Sequence, residues 1–242
     1  MAADDVTDRL AAIEAGLRRV ERSLGAKADR PRVKISDKSF SRLAKEVIAE
    51  GRTLLREDRL WTLWQAIANT RARGLPALEA GTYRGGSAAF LAGAWRAQAG
   101  TDLVLDVVDT FAGHAAGEPG DRDDPLHHVG RFGDTSLEEV SAYLARFPGV
   151  RVHEGAFATV APRLGDARYG LLHLDMDLYE PTLDGLRFAH EHVPPGGAVI
   201  LDDYGARKCP GVKEAAAEFL AGHPGYHAWD PLSEQLVLSR WS

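Results

Sequence analysis

Among 242 residues there is one cysteine, Cys209, so no disulfide can close within the chain. Scarce cysteine excludes a disulfide-stapled scaffold and fits a reducing compartment. No run approaches the roughly 18 uninterrupted apolar residues of a membrane-spanning helix, so no membrane partner is expected. Positive charge is also short: 29 Lys and Arg against 35 Asp and Glu give a formal net charge of -6. A nucleic-acid binder carries a basic patch or excess, and none is seen. The start, Met1-Ala2-Ala3-Asp4-Asp5, lacks the basic region and apolar stretch of a secretory signal, so a cytoplasmic location is expected. Two phosphate-binding fingerprints are missing as well, G-x-x-x-x-G-K-[ST] and G-x-G-x-x-G, which disfavours a nucleoside-triphosphate loop or a dinucleotide site.

What is present is a 45% hydrophobic chain with 26% charged residues, enough for one sizeable core. Residues 4–25 carry Val6, Leu10, Ile13, Leu17, Val20 and Leu24 at alternating spacings of four and three, an a/d seam that predicts a helix suited to coiled-coil pairing. Packing on its own domain is the alternative. Residues 26–38 are polar and basic with a proline, and read as a linker or lid. From 39 onward two helical patterns, near 39–50 and 56–73, precede an alternation of strands and helices. The strands are expected at 75–80, 103–108, 150–153, 170–175 and 197–202, with two closing strands near 226–229 and 235–239. This alternation predicts an α/β fold, doubly wound on a mainly parallel sheet.

Two of the strands end on acids: Leu171-Leu172-His173-Leu174-Asp175-Met176-Asp177 and Ala198-Val199-Ile200-Leu201-Asp202-Asp203-Tyr204. In open α/β sheets ligands sit beyond the carboxyl ends of the strands. Asp175, Asp202 and Asp203 are therefore expected at one site. Ionised carboxylates crowded together need a counter-charge, and a hard divalent cation with oxygen ligands supplies it.

The first strand runs into Glu79-Ala80-Gly81-Thr82-Tyr83-Arg84-Gly85-Gly86-Ser87, just before a helix. Glycines let the backbone approach a ligand, and the helix start offers free N–H groups. The second strand ends at Asp109, where an acid beyond such a loop holds a ribose diol. A tight structural turn and a turn-capping Asp are the alternatives.

Together these segments resemble known enzymes. The loop at 79–87 is similar to the first motif of class I methyltransferases that use S-adenosyl-L-methionine (SAM). With Asp109-Thr110-Phe111-Ala112-Gly113, Asp175-Met176-Asp177-Leu178-Tyr179-Glu180-Pro181-Thr182 and Gly196-Gly197-Ala198-Val199-Ile200-Leu201-Asp202-Asp203-Tyr204, the chain resembles the macrocin O-methyltransferase family over about residues 40–242. The resemblance implies a Rossmann-like fold, SAM as methyl donor, and Mg2+ held by Asp175, Asp202 and Asp203, with Asp175 also the general base. It implies that Glu79, Gly81, Thr82 and Ser87 hold the methionine part of SAM, Asp109 the ribose, and Gly155, Ala156 and Phe157 the adenine. The implied acceptor is a sugar hydroxyl of a glycosylated natural product or glycolipid, and the implied assembly a homo-oligomer. A catechol-type enzyme acting on an aromatic acceptor, a different reaction on the same superfold, and a non-catalytic coiled-coil scaffold are the alternatives.

Two regions depart from the family pattern, residues 4–25 and the loop 112–133 with His114, His127 and His128. The loop is expected to be a mobile cover over the acceptor rather than a zinc site. Asp177 is expected to cap the following helix or to support Asp175. Cys209 reads as an incidental thiol in a loop, His173 as a hydrogen-bonded core histidine, and His190 and His192 as a solvated helix end.

Overall fold

The computed structural model describes residues 35–120 and 122–241. The predicted helix over 4–25 and the linker up to residue 34 lie outside the described residues.

Asp37 opens the first helix, α1 (Lys38–Ala49), by accepting hydrogen bonds from the backbone N–H groups of Ser39 (2.9 Å) and Phe40 (3.0 Å). A side-chain oxygen satisfying these free donors contributes about 1 kcal/mol. Helix α2 (Glu57–Thr70) follows, and then strand and helix alternate. The series is β1 (Ala77–Ala80), α3 (Gly86–Ala99), β2 (Leu105–Asp109), α4 (Leu137–Leu144), β3 (Val150–Glu154), and a single turn, α5 (Phe157–Val160). It continues with β4 (Leu171–Leu174), α6 (Tyr179–His192), β5 (Ala198–Leu201), α7 (Pro210–Gly222), β6 (Tyr226–Trp229) and β7 (Leu236–Arg240). Every strand read from the sequence is present, most of them a residue or two shorter.

The seven strands form one sheet in the order β3-β2-β1-β4-β5-β7-β6. The first five are parallel, and β7 runs antiparallel to β5 and β6. The order reverses between β1 and β4, the switch point where open α/β sheets bind ligands. Because β7 returns along β5, the turn between β6 and β7 lies at the carboxyl edge of the sheet, with Leu236 opposite Leu201.

Alternation along the strands sorts the core into two halves. Leu78, Ala80, Leu172, Leu174, Val199 and Leu201 pack with Leu183 and Leu186 of α6 and Val212, Ala215 and Phe219 of α7. Glu79 and His173 are cross-strand neighbours on the other face, and both are completely buried.

Asp106 is a third buried polar group, 1% exposed within β2. Its carboxylate accepts from Arg151 Nε (2.8 Å) and Nη2 (2.6 Å) and from the Tyr169 hydroxyl (3.0 Å), with His153 Nε2 at 2.8 Å. Burial disfavours its charge, but Arg151, His153 and Tyr169 outweigh burial and hold the carboxyl below its usual range. A carboxylate whose folded-state pKa is depressed stabilises the fold above its unfolded value, near 3.9, and loses that contribution as pH falls through the folded value. Asp106→Asn is therefore expected to cost about 2–4 kcal/mol in urea unfolding at pH 7. The difference between the two proteins should shrink as pH is lowered below about 4.

Candidate active site

Register brings the sequence-predicted acids to one level. Ala80 is opposite Leu174 and Leu174 opposite Leu201, so the residues that follow, Gly81, Asp175 and Asp202, leave the sheet side by side. The ladder extends one step further: Asp175 N–H donates to Ala80 O (2.8 Å), and Asp202 N–H donates to Leu174 O (2.9 Å). Gly81 has φ +82°, and a Cβ there would fall 1.8 Å from the Asp175 carbonyl oxygen. Only glycine fits, because both the left-handed backbone and the approach of β4 exclude a side chain.

Beyond this edge lies one cavity. Gly81, Thr82, Ser87, Asp109, Gly155 and Phe157 line one part of it, and Asp175, Asp202 and Asp203 line another. Carboxylate oxygens of these three acids lie within 4.8 Å of one another. Burial, then the neighbouring Asp202 and Asp203, push the Asp175 carboxyl well above its usual range.

One counter-charge in the cluster comes from a residue the motifs did not indicate. Arg59 of α2 is 8% exposed and reaches across the sheet edge. Its Nη1 pairs with Asp202, and its Nη2 donates to Asp203 Oδ1 and Glu234 Oε2, both at 2.8 Å. Its Nε donates to Ser233 O at 3.2 Å. Asp202 also accepts from Gln235 Nε2 at 2.7 Å, and Gln235 is completely buried. Arg59 thus meets three carboxylates, of which Glu234 also pairs with Arg56 (3.1 Å), while Asp175 has no guanidinium partner among the described residues, so the donor set still fits a hard divalent cation with oxygen ligands.

The glycine loop is held from behind. Glu79 does not line the cavity, contrary to its expected contact with the methionine part of SAM. It accepts from the Thr82 hydroxyl (2.6 Å) through Oε2, and its Oε1 lies 2.8 Å from His173 Nδ1. Burial opposes the His173 charge, but the acidic groups around it outweigh burial and raise the ring to about 10. Its Nε2 stands 4.0 Å from Asp202, too far for a hydrogen bond, and has no partner. Glu79 therefore shapes the loop from behind. Asp109 does line the cavity, but both its oxygens already accept backbone N–H groups: Thr82 and Tyr83 at 2.8 Å on one, Phe111 at 2.8 Å on the other. It braces the loop as well as facing the ligand space. Gly155 and Phe157 line the cavity, whereas Ala156 between them does not.

Two expectations for the surroundings change, and the 112–133 loop gains anchors that the sequence did not show. Asp177 does not cap α6, because that helix starts after Leu178 with no side-chain cap and Asp177 has φ +63°. The α6 N-terminus is served instead by Asp123 of the 112–133 loop, whose Oδ1 accepts from Tyr179 N–H at 2.8 Å. The loop itself is tied down by backbone bonds from His114 to Arg131 (3.1 Å) and from Gly130 to His114 (2.9 Å). Cys209 is 4% exposed and touches His127 and Asp177 rather than standing free in a loop.

Arg59, Ser233, Glu234 and Gln235 were missed because no motif contains them. One signal was available for Arg59. It shares the spacing of Leu63, Ala66, Ile67 and Thr70, so a charged residue stands on the buried stripe of α2.

A family model described as Macrocin-O-methyltransferase (TylF) matches residues 12–225. The 8-demethyl-8-(2,3-dimethoxy-alpha-L-rhamnosyl)-tetracenomycin-C 4'-O-methyltransferase of Streptomyces olivaceus is 32% identical over 75% of this chain and 71% of its own length. The mycinamicin III 3''-O-methyltransferase of Micromonospora griseorubida is 31% identical over 71% of each chain. Among solved structures, the O-methyltransferase NovP aligns with a TM-score of 0.70 at 28% identity, covering 79% of this chain and 83% of its own.

Two substitutions test the geometry of the site. Arg59→Met leaves the acidic groups uncompensated and is expected to lower the unfolding free energy by about 3 kcal/mol at neutral pH. Gly81→Ala should destabilise by about 2 kcal/mol or more and abolish SAM binding in calorimetry, because β1 and β4 must part to admit the methyl group.

Proposed function

The chain belongs to the macrocin O-methyltransferase family, and from that membership we propose that it methylates a sugar hydroxyl of a glycosylated natural product with the help of Mg2+. That it is a SAM-dependent O-methyltransferase follows from the family itself. The observation that carries the finer reading is the shared cavity, with the glycine loop along one part and the acidic cluster along another. A methyl donor on the loop and an acceptor oxygen at the acids would then lie within one cavity.

In this reading Gly81, Thr82 and Ser87 hold the methionine part of SAM, Asp109 the ribose, and Gly155 and Phe157 the adenine. Asp175, Asp202 and Asp203 hold the cation. Bound there, Mg2+ neutralises charge and makes a coordinated hydroxyl more acidic. Asp175 takes the hydroxyl proton as the methyl group is transferred. Methyl transfer is an in-line displacement, so the fixed β1–β4 edge contributes chiefly by aligning oxygen, methyl and sulfur. Loss of the methyl group from the sulfonium to the hydroxyl oxygen leaves a neutral thioether, with the hydroxyl proton on the base, and a buried site favours this loss of charge more than water does.

A glycoside acceptor is supported by the relatives, whose names specify rhamnosyl and other antibiotic positions. The site's rim supports the same acceptor. Leu54 lines the cavity beside Leu55 and is 72% exposed. Apolar side chains around a polar centre suit a sugar carried on a large apolar aglycone. The seam at residues 4–25 supports a homo-oligomer.

Incubation of the full chain with SAM and a panel of glycosylated polyketides is expected to give a product heavier by one methyl group. Product should vanish on chelation and return with Mg2+, and Asp175→Asn should lower the rate by about two to four orders of magnitude. Methylation of catechols but not glycosides would overturn the acceptor assignment. Full activity in chelator would overturn the role of the cation.

A further inference from the structure

Three arginines line the cavity, Arg52, Arg59 and Arg131, and the protein itself engages two of them. Arg59 pairs with Asp202, Asp203 and Glu234. Arg52 donates from Nη1 to the Arg84 carbonyl (3.3 Å) and lies over the Tyr143 ring, 4.5 Å from its centre. Arg131, in the loop between β2 and α4, is different. Among the described residues its guanidinium has no carboxylate or carbonyl partner, and its Nε is buried without a hydrogen bond. The acids around it are turned elsewhere. Glu118, which also lines the cavity, accepts from Ala115 N–H at 2.6 Å. Asp134 accepts from the Tyr83 hydroxyl at 2.8 Å and pairs with Arg84. Buried donors left unmet are costly, and a folded protein keeps them where something else meets them.

The loop fixes this side chain from both directions. His114 N–H donates to the Arg131 carbonyl and Arg131 N–H to the His128 carbonyl, both at 3.1 Å. A Cβ on Gly113 would fall 2.2 Å from the Arg131 carbonyl oxygen, so the two arms of the loop are in contact there. Phe132 takes φ +66° without being glycine, a conformation that costs energy and is kept where the surroundings demand it. Its ring lines the cavity and meets Tyr83 and His114 edge-on, each with centres 5.7 Å apart. The Arg131 guanidinium lies over that ring, with Cζ 4.7 Å from the centre. A guanidinium stacked on an aromatic face is held in place with its in-plane N–H fork pre-organised for oxygen acceptors. His114 ties this pair to the acid side of the cavity, since its Nε2 is 4.0 Å from Asp177 Oδ2.

We propose that Arg131 is a specificity-determining residue for the acceptor, its guanidinium taking a sugar hydroxyl other than the one methylated. The inference rests on the sugar reading above and deepens it, because the acceptor sugar must then carry a further free hydroxyl. Six carboxyl groups line the cavity, Asp109, Glu118, Asp175, Asp177, Asp202 and Asp203, against three guanidinium groups, so a neutral hydroxyl suits the site better than another anion. A guanidinium only donates, so an acceptor that lacks this oxygen leaves buried donors unmet and is rejected.

The test uses the full chain with SAM and Mg2+, each glycosylated polyketide of the panel that is methylated, and its monodeoxy analogues. With the unmutated chain, one analogue that keeps the methylated hydroxyl should lose about ten- to a hundredfold in kcat/KM. Arg131→Met should lose a similar factor with the parent glycoside, through KM rather than kcat, and should no longer distinguish that analogue from the parent. Arg131→Lys keeps the charge without the fork and should recover only part of the preference. Lost selectivity for a single hydroxyl is a readout that a merely structural role would not give. In the unmutated chain with S-adenosylhomocysteine, the parent glycoside should also slow labelling of Arg131 by phenylglyoxal, mapped by peptide mass spectrometry, but not that of Arg187, which lies on α6 outside the cavity. This arm needs no variant to fold. The proposal is overturned if Arg131→Met keeps the unmutated chain's KM and preference, or if a methylated glycoside leaves Arg131 labelling unchanged, as it would where Arg131 meets only a bound water. If no glycoside of the panel is methylated, the sugar reading itself falls and this inference falls with it.

Discussion

Crowding of carboxylates at the ends of β4 and β5 is the constraint on which the rest of this molecule depends. Backbone pairing sets Asp175 and Asp202 side by side, and the chain has no freedom to separate them without breaking the sheet. The protein answers with a buried guanidinium. Arg59 spans Asp202, Asp203 and Glu234 and thereby ties α2 to the turn between β6 and β7. That single charge links three parts of the chain far apart in sequence. The crowded oxygen donors that remain are of the kind a hard divalent cation takes.

The same economy appears in the glycine loop. Glu79 and Asp109 are spent partly on holding the loop, through Thr82 and through backbone N–H groups. Loop shape and ligand contact are thus coupled: a substitution at either acid changes the loop before it changes any ligand contact. Gly81 sits at the tightest point, where the loop leaves β1 against the backbone of β4.

Much of this was legible in the sequence, because the strong signals are local. Apolar runs such as 171–174 and 198–201 mark buried strands, and the acids that stop them mark the site. The place of Glu79 behind the loop, against Thr82 and His173, was not legible, since a strand's alternation says which face a residue takes but not what it meets there. Arg59, Ser233 and Gln235 were not legible, because their roles arise from contacts between distant segments, 174 residues apart for Arg59 and Ser233 and 33 for Gln235 and Asp202. The 112–133 loop was read as a mobile cover. Its anchoring contacts, such as Asp123 capping α6, are announced by no local pattern.

The most direct test of the account is a calorimetric titration of Mg2+ into the unmutated chain and into Asp203→Asn. One saturable site in the unmutated chain, weakened by about tenfold or more in the variant, is the predicted result. No binding in the unmutated chain would contradict it, for Arg59 would then be the complete counter-charge and the acidic cluster no cation site.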